Sequence, residues 1–349
     1  MQITSSTIPS STDGGGSPGP HRFDPAEDVG ARHQPAPGVS VVGDDNSVTG
    51  EQMTTAEHYD ASAATYHLQY EREGLRDLSR AYPANYFRLQ MLLNSFVEND
   101  VRRVVEVGVG EGTPLATLAR AGMEVSGFDL SQAMVERSKE RMTEIGESPD
   151  RIIWGDIEDP TTYADLLRAG QFDGLMAMGV MPHIRNDVQV LRNMETLVRP
   201  GGLMFVEFRN KLFSLFTFNR YTYEFVMDDL LAGVSDTVRS HVATFLRERL
   251  AMDMPPRRET HYDDEEKVGY DAILSRFHNP FEVTELFDRL GLEDIELLWY
   301  HYHPAMPLLA EKDPAAFREE AIRLEHEPSG WRGLFLCSAF VVQARKPLP

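Results

Sequence analysis

The sequence predicts an α/β fold built on a doubly wound, mostly parallel sheet. Between residues 104 and 207, short apolar segments typical of buried strands alternate with segments of helical periodicity. This alternation favours a parallel sheet with helices on both faces. The chain has 349 residues, of which 42% are hydrophobic, so it can bury a large core.

The first predicted strand, residues 104–107, leads directly into a glycine loop. Residues 106–112 read EVGVGEG, with glycine at three alternate positions, which lets the backbone adopt positive φ and approach a ligand closely. Thr113 as the N-cap and Pro114 at the first helical position mark a helix start, and Gly122 marks its end. Free N–H groups at that helix start point at the loop, which predicts a site for a nucleotide-like cofactor.

Further apolar segments predict the rest of the sheet in chain order. They comprise residues 124–128, 152–157, 172–178, 197–206, 295–300 and 334–342. The second strand ends in Asp129, where an acidic side chain can accept both hydroxyls of a ribose. The turn into the fifth strand carries the sequence PGG at residues 200–202.

The spacing of the glycine loop separates two kinds of cofactor site. A dinucleotide fingerprint needs a third small residue where this chain has Thr113, which argues against a nicotinamide-dependent oxidoreductase. The pattern ExGxGxG resembles motif I of the class I S-adenosylmethionine-dependent methyltransferases. The resemblance continues in order through the later strands, covering residues 55–210 well and 280–345 more loosely. It implies a seven-stranded, Rossmann-like sheet whose seventh strand is antiparallel.

The resemblance implies S-adenosylmethionine as cofactor and assigns residues to it. Gly108, Gly110 and Gly112 would border the methionine part, while Glu106 would orient the loop or the amino group. Asp129 would hold the ribose and Asp156 the adenine amino group. The remaining predicted cofactor contacts are Tyr66, Leu130, Ile157 and Met178. Tyr59 and Tyr66 lie in a segment that resembles one folding over the cofactor, although ordinary helix packing explains them equally well.

Composition divides the chain into five parts. Residues 1–50 are rich in Ser, Gly, Pro and Asp and predict a disordered arm. Residues 51–100 predict a helical cap with a helix at 86–97, followed by the cofactor-binding core at 101–209. Residues 210–279 predict an inserted lid or substrate subdomain with a helix at 228–252, and residues 280–349 return to the sheet.

The start of the insertion is dense in aromatic side chains. These side chains either build a small core of their own or line a pocket for the acceptor. The predicted substrate-binding residues are Glu207, Arg209, Phe216, Tyr221 and Tyr223.

Methyl transfer from a sulfonium is an in-line displacement, so the protein mainly has to align the acceptor with the methyl group. A base is needed only if the acceptor must lose a proton. His183, just after the fourth strand, and His278, just before the helix that returns to the core, are the candidates. For both, a structural hydrogen bond is the alternative. The acidic run at 261–266 and the pair His301 and His303 are weak metal patterns, and we predict no metal.

Charge and cysteine content bound the environment and the partners. The chain has 55 acidic and 34 basic residues and a formal charge of −21, which argues against a nucleic-acid substrate. Cys337 is the single cysteine, so no intramolecular disulfide forms and a reducing compartment is expected. No apolar run approaches the roughly 18 residues needed to span a bilayer. We therefore expect a cytoplasmic protein with no membrane partner, and homo-oligomer formation is left open.

These observations predict methyl transfer from S-adenosylmethionine to an oxygen or nitrogen of a small molecule, as in a tailoring or secondary-metabolic enzyme. Carbon or protein methylation on the same fold, and a non-catalytic cofactor-binding protein, are the alternatives.

Overall fold

The computed structural model of the chain describes residues 70–250 and 276–349. Several predictions fall outside these ranges. They concern the N-terminal arm at 1–50, the first part of the helical cap, Tyr59, Tyr66 and the acidic run at 261–266.

The described part of the chain forms one seven-stranded sheet. Its strands are β1 (Arg103–Val107), β2 (Glu124–Asp129), β3 (Ile152–Trp154), β4 (Phe172–Ala177), β5 (Val198–Arg209), β6 (Glu293–Tyr302) and β7 (Cys337–Arg345). The strand order is β3-β2-β1-β4-β5-β7-β6. The first five strands pair in parallel, and β7 pairs antiparallel with both β5 and β6. The predicted fold class is confirmed.

Helices of the described residues alternate singly with the strands as far as β5, and several helices separate β5 from β6 and β6 from β7. They are α1 (Ala84–Glu98), α2 (Thr113–Arg120), α3 (Gln132–Glu144), α4 (Ala164–Arg168), α5 (Asp187–Leu197), α6 (Ser214–Thr217), α7 (Arg220–Glu224), α8 (Asp236–Arg247), α9 (Pro280–Arg289), α10 (Pro314–Leu324) and α11 (Gly333–Leu336).

Apolar side chains cover both faces of the sheet. One buried cluster joins the sheet to α1, α2 and α3 through residues such as Phe96 and Leu118. The other cluster joins it to α4, α5 and α9 through residues such as Leu191 and Phe287. Because both faces are covered, the open ends of the strands are where a ligand can reach the sheet.

Three local predictions are wrong in detail. The N-cap of α2 is Gly112, with φ of 86°, and Thr113 is the first helical residue. Residues 334–336 are helical, because the chain turns at Gly333, where a side chain would overlap the ring of Trp299. The helix predicted at 228–252 is interrupted, because a π-helical turn at Phe225–Leu230 is followed by Gly233 with φ of 75° before α8 begins.

Asn210 fixes the start of the segment that follows β5. Its side chain is fully buried. The amide nitrogen donates to the carbonyl oxygens of Leu334 and Cys337, each at 2.8 Å, and the amide oxygen accepts from the N–H of Leu212 at 3.0 Å. The chain therefore leaves the sheet in a defined direction.

Gly127 in β2 lets the glycine loop pack directly on the sheet. A β-carbon at this position would overlap the side chain of Val109 and lie 2.7 Å from the carbonyl oxygen of Glu106. We therefore expect Gly127→Ala to lower the free energy of unfolding by about 1–3 kcal/mol, as overpacking does. Urea denaturation would measure it. Gly330→Ala, whose nearest neighbour would be 3.8 Å away, is the control, and equal stability of both variants would contradict this account.

Candidate active site

A cavity of about 260 Å³ lies at the carboxyl ends of β1, β2 and β4. The sheet order reverses direction between β1 and β4, and ligands of open α/β sheets bind at such a switch point. Polar and apolar side chains from the loops after these strands share its wall.

The glycine loop forms the floor next to β1. Gly108 and Gly110 line the cavity with φ of 73° and 53°, values that other residues rarely adopt. The N–H groups of Gly108 and Val109 both donate to the carbonyl oxygen of Phe128, at 2.9 and 3.2 Å. A β-carbon at Gly110 would point into open space, with no heavy atom within 4 Å.

Gly112 differs from the other two loop glycines. It is not among the residues that line the cavity. A β-carbon there would lie 2.6 Å from the hydroxyl oxygen of Ser138 in α3. Close packing of the loop on α3 therefore explains this glycine, and its contact with the cofactor stays a prediction.

Two predicted carboxylates are held in the cavity wall by backbone amides. Asp129 accepts hydrogen bonds from the N–H of Gly110 at 2.9 Å and from the N–H of Ser131 at 2.8 Å. Asp156 accepts from the N–H of Glu158 at 2.9 Å. Because both side chains are oriented by local backbone, they can bind hydroxyl or amino groups of a ligand without rearranging.

Glu106 is a third carboxylate in the wall, and it is almost completely buried, with 1% of its surface exposed. Its Oε2 atom has no hydrogen-bond partner among the described residues. Burial raises the pKa of Glu106, Arg88 opposes that shift, and the nearby Asp129 and Glu111 add to it. A buried carboxylate with one unpartnered oxygen at a cavity wall fits a cationic ligand group such as an ammonium.

The far wall is apolar. Leu130, Ile157 and Met178 line the cavity, as does Phe128, whose ring stacks on Tyr163 at 4.6 Å between centroids. The indole N–H of Trp154 donates to the carbonyl oxygen of Leu130 at 2.9 Å and holds that loop in place. A flat aromatic group fits such a wall.

His183 and His278 have different surroundings. His183 lines the cavity beside Val180 and Ile184. His278 is buried outside the cavity lining, with its Nε2 atom 3.4 Å from a carboxylate oxygen of Asp187 and its ring against Phe208. Of the two catalytic candidates, only His183 is in position to reach a ligand in this cavity.

Asp187 links His278 to the loop that carries His183. Arg276 donates to both oxygens of Asp187, at 2.6 and 3.1 Å, and to the carbonyl oxygen of Ile184 at 2.7 Å. Burial by itself raises the pKa of Asp187, but the neighbouring His278 and Arg276 side chains hold that pKa below its usual value. Asp187 is therefore an ionised anchor of the cavity wall.

The predicted substrate-binding residues do not line this cavity. Glu207 is buried in an ion pair with Arg88. Tyr221 packs on Phe277 and Tyr223 lies under Arg247. Arg209 and Phe216 are also outside the lining, and contacts with an acceptor stay a prediction for all five residues.

Sequence reasoning missed several lining residues. Tyr70, Val180 and Glu158 belong to the wall. Val180 and Glu158 lie three and four residues beyond the ends of β4 and β3, so their positions gave a usable signal. Tyr70 had no such signal, because it precedes every strand of the sheet.

The described ranges hold no group of three or more His, Cys, Asp or Glu side chains placed to bind a metal ion. Within the same residues, no helix is both long and apolar enough to cross a bilayer.

Comparison with known proteins identifies a methyltransferase domain in the chain. Residues 105–206 match the family model described as a methyltransferase domain. The ubiquinone biosynthesis O-methyltransferase of Aromatoleum aromaticum is 27% identical over 151 residues, which are 42% of this chain and 62% of that protein. The enzyme of the same name from Ralstonia nicotianae is 30% identical over 151 residues, 42% of this chain and 61% of that protein. The chain thus spans about three fifths of the length of these two curated relatives.

Among solved structures, the methyltransferase domain of bacterial CtHen1 aligns with a TM-score of 0.40 and 16% identity, over 75% of this chain and 99% of that one.

Sheet order, glycine loop and acidic strand ends define a class I methyltransferase fold. Residues 105–206 match the methyltransferase-domain family, and S-adenosylmethionine is the methyl donor of that family. The cavity fits the cofactor of that family, since it offers a partnerless carboxylate oxygen at Glu106 and an open cradle at Gly110.

Burial of Glu106 gives a prediction about stability. Because its pKa is higher in the folded protein than in the unfolded chain, the protonated form favours folding in acid, and this contribution is lost as the pH rises towards the folded-state pKa. Glu106→Gln mimics the neutral form, so its melting temperature relative to the unsubstituted protein should increase between about pH 5 and about pH 8. Glu147→Gln, at an exposed position, is the control. A difference in melting temperature that does not change with pH would show that ionisation of Glu106 does not destabilise the folded protein.

Proposed function

We propose that the protein transfers the methyl group of S-adenosylmethionine to an oxygen or nitrogen atom of a small molecule. The observation that carries the proposal is the convergence of the glycine loop, the three predicted carboxylates and an apolar wall on one cavity at the switch point of the sheet. When bound, the cofactor supplies an electrophilic methyl group on a sulfonium.

Different residues of the cavity would bind different parts of the cofactor. Glu106 would bind the ammonium group, with Gly108 and Gly110 bordering the methionine part. Asp129 would accept the ribose hydroxyls, because its two oxygens are already oriented by backbone amides. Asp156 would accept the adenine amino group, and the far wall with Leu130, Ile157 and Met178 would cover the faces of the base.

The acceptor would enter from the side of His183. For a hydroxyl acceptor, its imidazole would take the proton as the oxygen attacks the methyl group, because a neutral histidine can serve as the base. The two curated relatives named above are O-methyltransferases, which favours oxygen over nitrogen. We infer that residues 210–279 enclose the methyl acceptor, which is the role that the sequence predicts for them.

We also keep the prediction of a cytoplasmic, tailoring enzyme that acts on small molecules and not on nucleic acid. The compartment rests on the single cysteine and the exclusion of nucleic acid on the formal charge of −21, while the tailoring role rests on the predicted insertion at 210–279 and the N-terminal arm. A screen of hydroxyl, amine and carboxylate acceptors beside protein and RNA tests it, and methylation of protein or RNA alone would overturn it.

Asp129→Asn tests the cofactor assignment. The change keeps the size of the side chain but removes its charge and one acceptor oxygen, so we expect the Kd for S-adenosylhomocysteine to rise at least about tenfold. Isothermal titration calorimetry would measure it, with NAD as the comparison ligand and Asp150→Asn, on the surface, as the control. Binding of NAD instead would reject the cofactor, and an unchanged Kd would reject the role of Asp129.

His183→Asn tests the proton acceptor. With a hydroxyl acceptor, we expect kcat to fall about a hundredfold or more, because general base catalysis contributes on that order. The Kd for S-adenosylhomocysteine should stay as it is, since His183 would contact the acceptor and not the cofactor. His326→Asn, which is exposed, serves as the control. An unchanged kcat would mean that the acceptor loses its proton elsewhere.

A further inference from the structure

A buried polar cluster adjoins the cavity, and no step of the proposed reaction uses it. The cluster, called here the Arg88 cluster, consists of Arg88 in α1, Glu207 in β5, Tyr300 in β6 and Tyr70. Arg88, Glu207 and Tyr300 are 4%, 6% and 3% exposed. The Arg88 guanidinium forms an ion pair with Glu207. It also lies over the ring of Tyr300, 5.7 Å from the centroid.

Tyr70 connects this cluster to the cavity. Its hydroxyl oxygen accepts a hydrogen bond from Nη2 of Arg88 at 3.0 Å, and its side chain lines the cavity. The hydroxyl hydrogen is therefore directed away from the guanidinium. Burial raises the pKa of Tyr70 despite the opposing effect of Arg88, so the phenol stays neutral.

Tyr70 lies at the Glu106 end of the cavity. Glu106 and Glu111 are both close enough to raise its pKa, and Glu106 lines the same cavity. Glu106 is the residue that the proposed function places at the ammonium group, so the Tyr70 hydroxyl faces the methionine end of the cofactor.

The strand register explains why Arg88 lies close to both Glu106 and Glu207. Glu106 in β1 is level with Met176 in β4, which is level with Phe205 in β5. Because side chains alternate along a strand, Glu207, two residues beyond Phe205, emerges on the same face of the sheet as Glu106. Helix α1 covers this face, which brings Arg88 over both carboxylates.

The chain before α1 is held at a second point. Arg318 in α10 donates to the carbonyl oxygens of Gly74 at 2.9 Å and Arg80 at 2.7 Å, and also to that of Asp77. The segment from Tyr70 to Arg80 is thus tied to the core by two arginines, and Arg88 is the one at the cavity.

A buried ion pair contributes little net stability, because desolvation of both charges offsets their attraction. Stability alone therefore does not explain why Arg88 and Glu207 are placed here. We propose that Arg88 is a positioning residue of the cofactor site: fixed by Glu207 and Tyr300, it holds the Tyr70 hydroxyl against the methionine end of the cavity. The inference rests on the proposed function, because it takes S-adenosylmethionine as the ligand of that cavity.

The experiment separates positioning from folding. Arg88→Met alone leaves Glu207 buried without its partner and should lower the melting temperature. Arg88→Met combined with Glu207→Gln removes both charges and leaves an acceptor for the Tyr300 hydroxyl, so the melting temperature should recover. Tyr70→Phe removes only the hydroxyl. Arg137→Met, at an exposed position of α3, is the control for the loss of an arginine.

Binding of S-adenosylhomocysteine by calorimetry is the readout. Tyr70→Phe and the Arg88→Met/Glu207→Gln pair should each raise the Kd at least about tenfold, the value of one hydrogen bond to a charged or strongly oriented partner. The triple variant should bind no more than about threefold more weakly than Tyr70→Phe, because residues that act through each other are not additive. The Kd of Arg137→Met should equal that of the unsubstituted protein.

The outcomes distinguish the two proposals. If the unsubstituted protein does not bind S-adenosylhomocysteine, the proposed function fails. If that protein binds but either Tyr70→Phe or the paired variant binds equally well, the inference about Arg88 fails and the function stands. Additive losses in the triple variant would also overturn the inference, because Arg88 would then not act through Tyr70. Recovery of both stability and affinity in the paired variant would leave Arg88 with a structural role only.

Discussion

The close approach of the glycine loop to the end of β2 is the contact on which the site depends. Two loop amides, from Gly108 and Val109, share the carbonyl oxygen of Phe128, and Gly127 places no side chain between the loop and the strand. Because the loop is held down in this way, the Gly110 amide reaches Asp129 and orients its carboxylate. The Asp129 carboxylate is thus already oriented to accept a hydrogen bond from a ligand hydroxyl before the ligand binds. Binding therefore does not have to include the free-energy cost of ordering this side chain.

Negative charge is the constraint that opposes this arrangement. Glu106 is buried near Asp129 and Glu111, and both raise its pKa beyond the effect of burial. Arg88 lowers the pKa of Glu106 but is also ion-paired with Glu207, while Glu111 is ion-paired with Arg141 at 2.7 Å. A cationic ligand group would offset the remaining negative charge around Glu106. The charges of the cavity are therefore better balanced when such a ligand is bound than when the cavity is empty. Stability and binding therefore place opposite demands on the Glu106 carboxylate, as is common in functional sites.

The parts of the site that sequence could predict are local. Glu106, Asp129 and Asp156 each lie at or just beyond the end of a strand, so strand periodicity places them at one edge of the sheet. The Arg88 and Glu207 pair could not be predicted, because 119 residues separate the two positions and only the packed sheet joins them. Gly112 shows the opposite limit: in sequence it matches Gly108 and Gly110, yet Ser138 in a different helix determines what its missing side chain makes room for.

The two halves of the cavity differ in whether local or long-range contacts hold their residues in place. The half assigned to the cofactor is built from consecutive loops, and a family pattern can specify it because each residue is fixed by its near neighbours. The half that carries His183 is held by Arg276, which reaches Asp187 from 89 positions later in the chain. Any change in the segment that delivers Arg276 can move this wall without touching a cofactor motif. Chains that share the cofactor motifs can therefore differ in their acceptors, because acceptor choice depends on long-range contacts that the motifs do not contain.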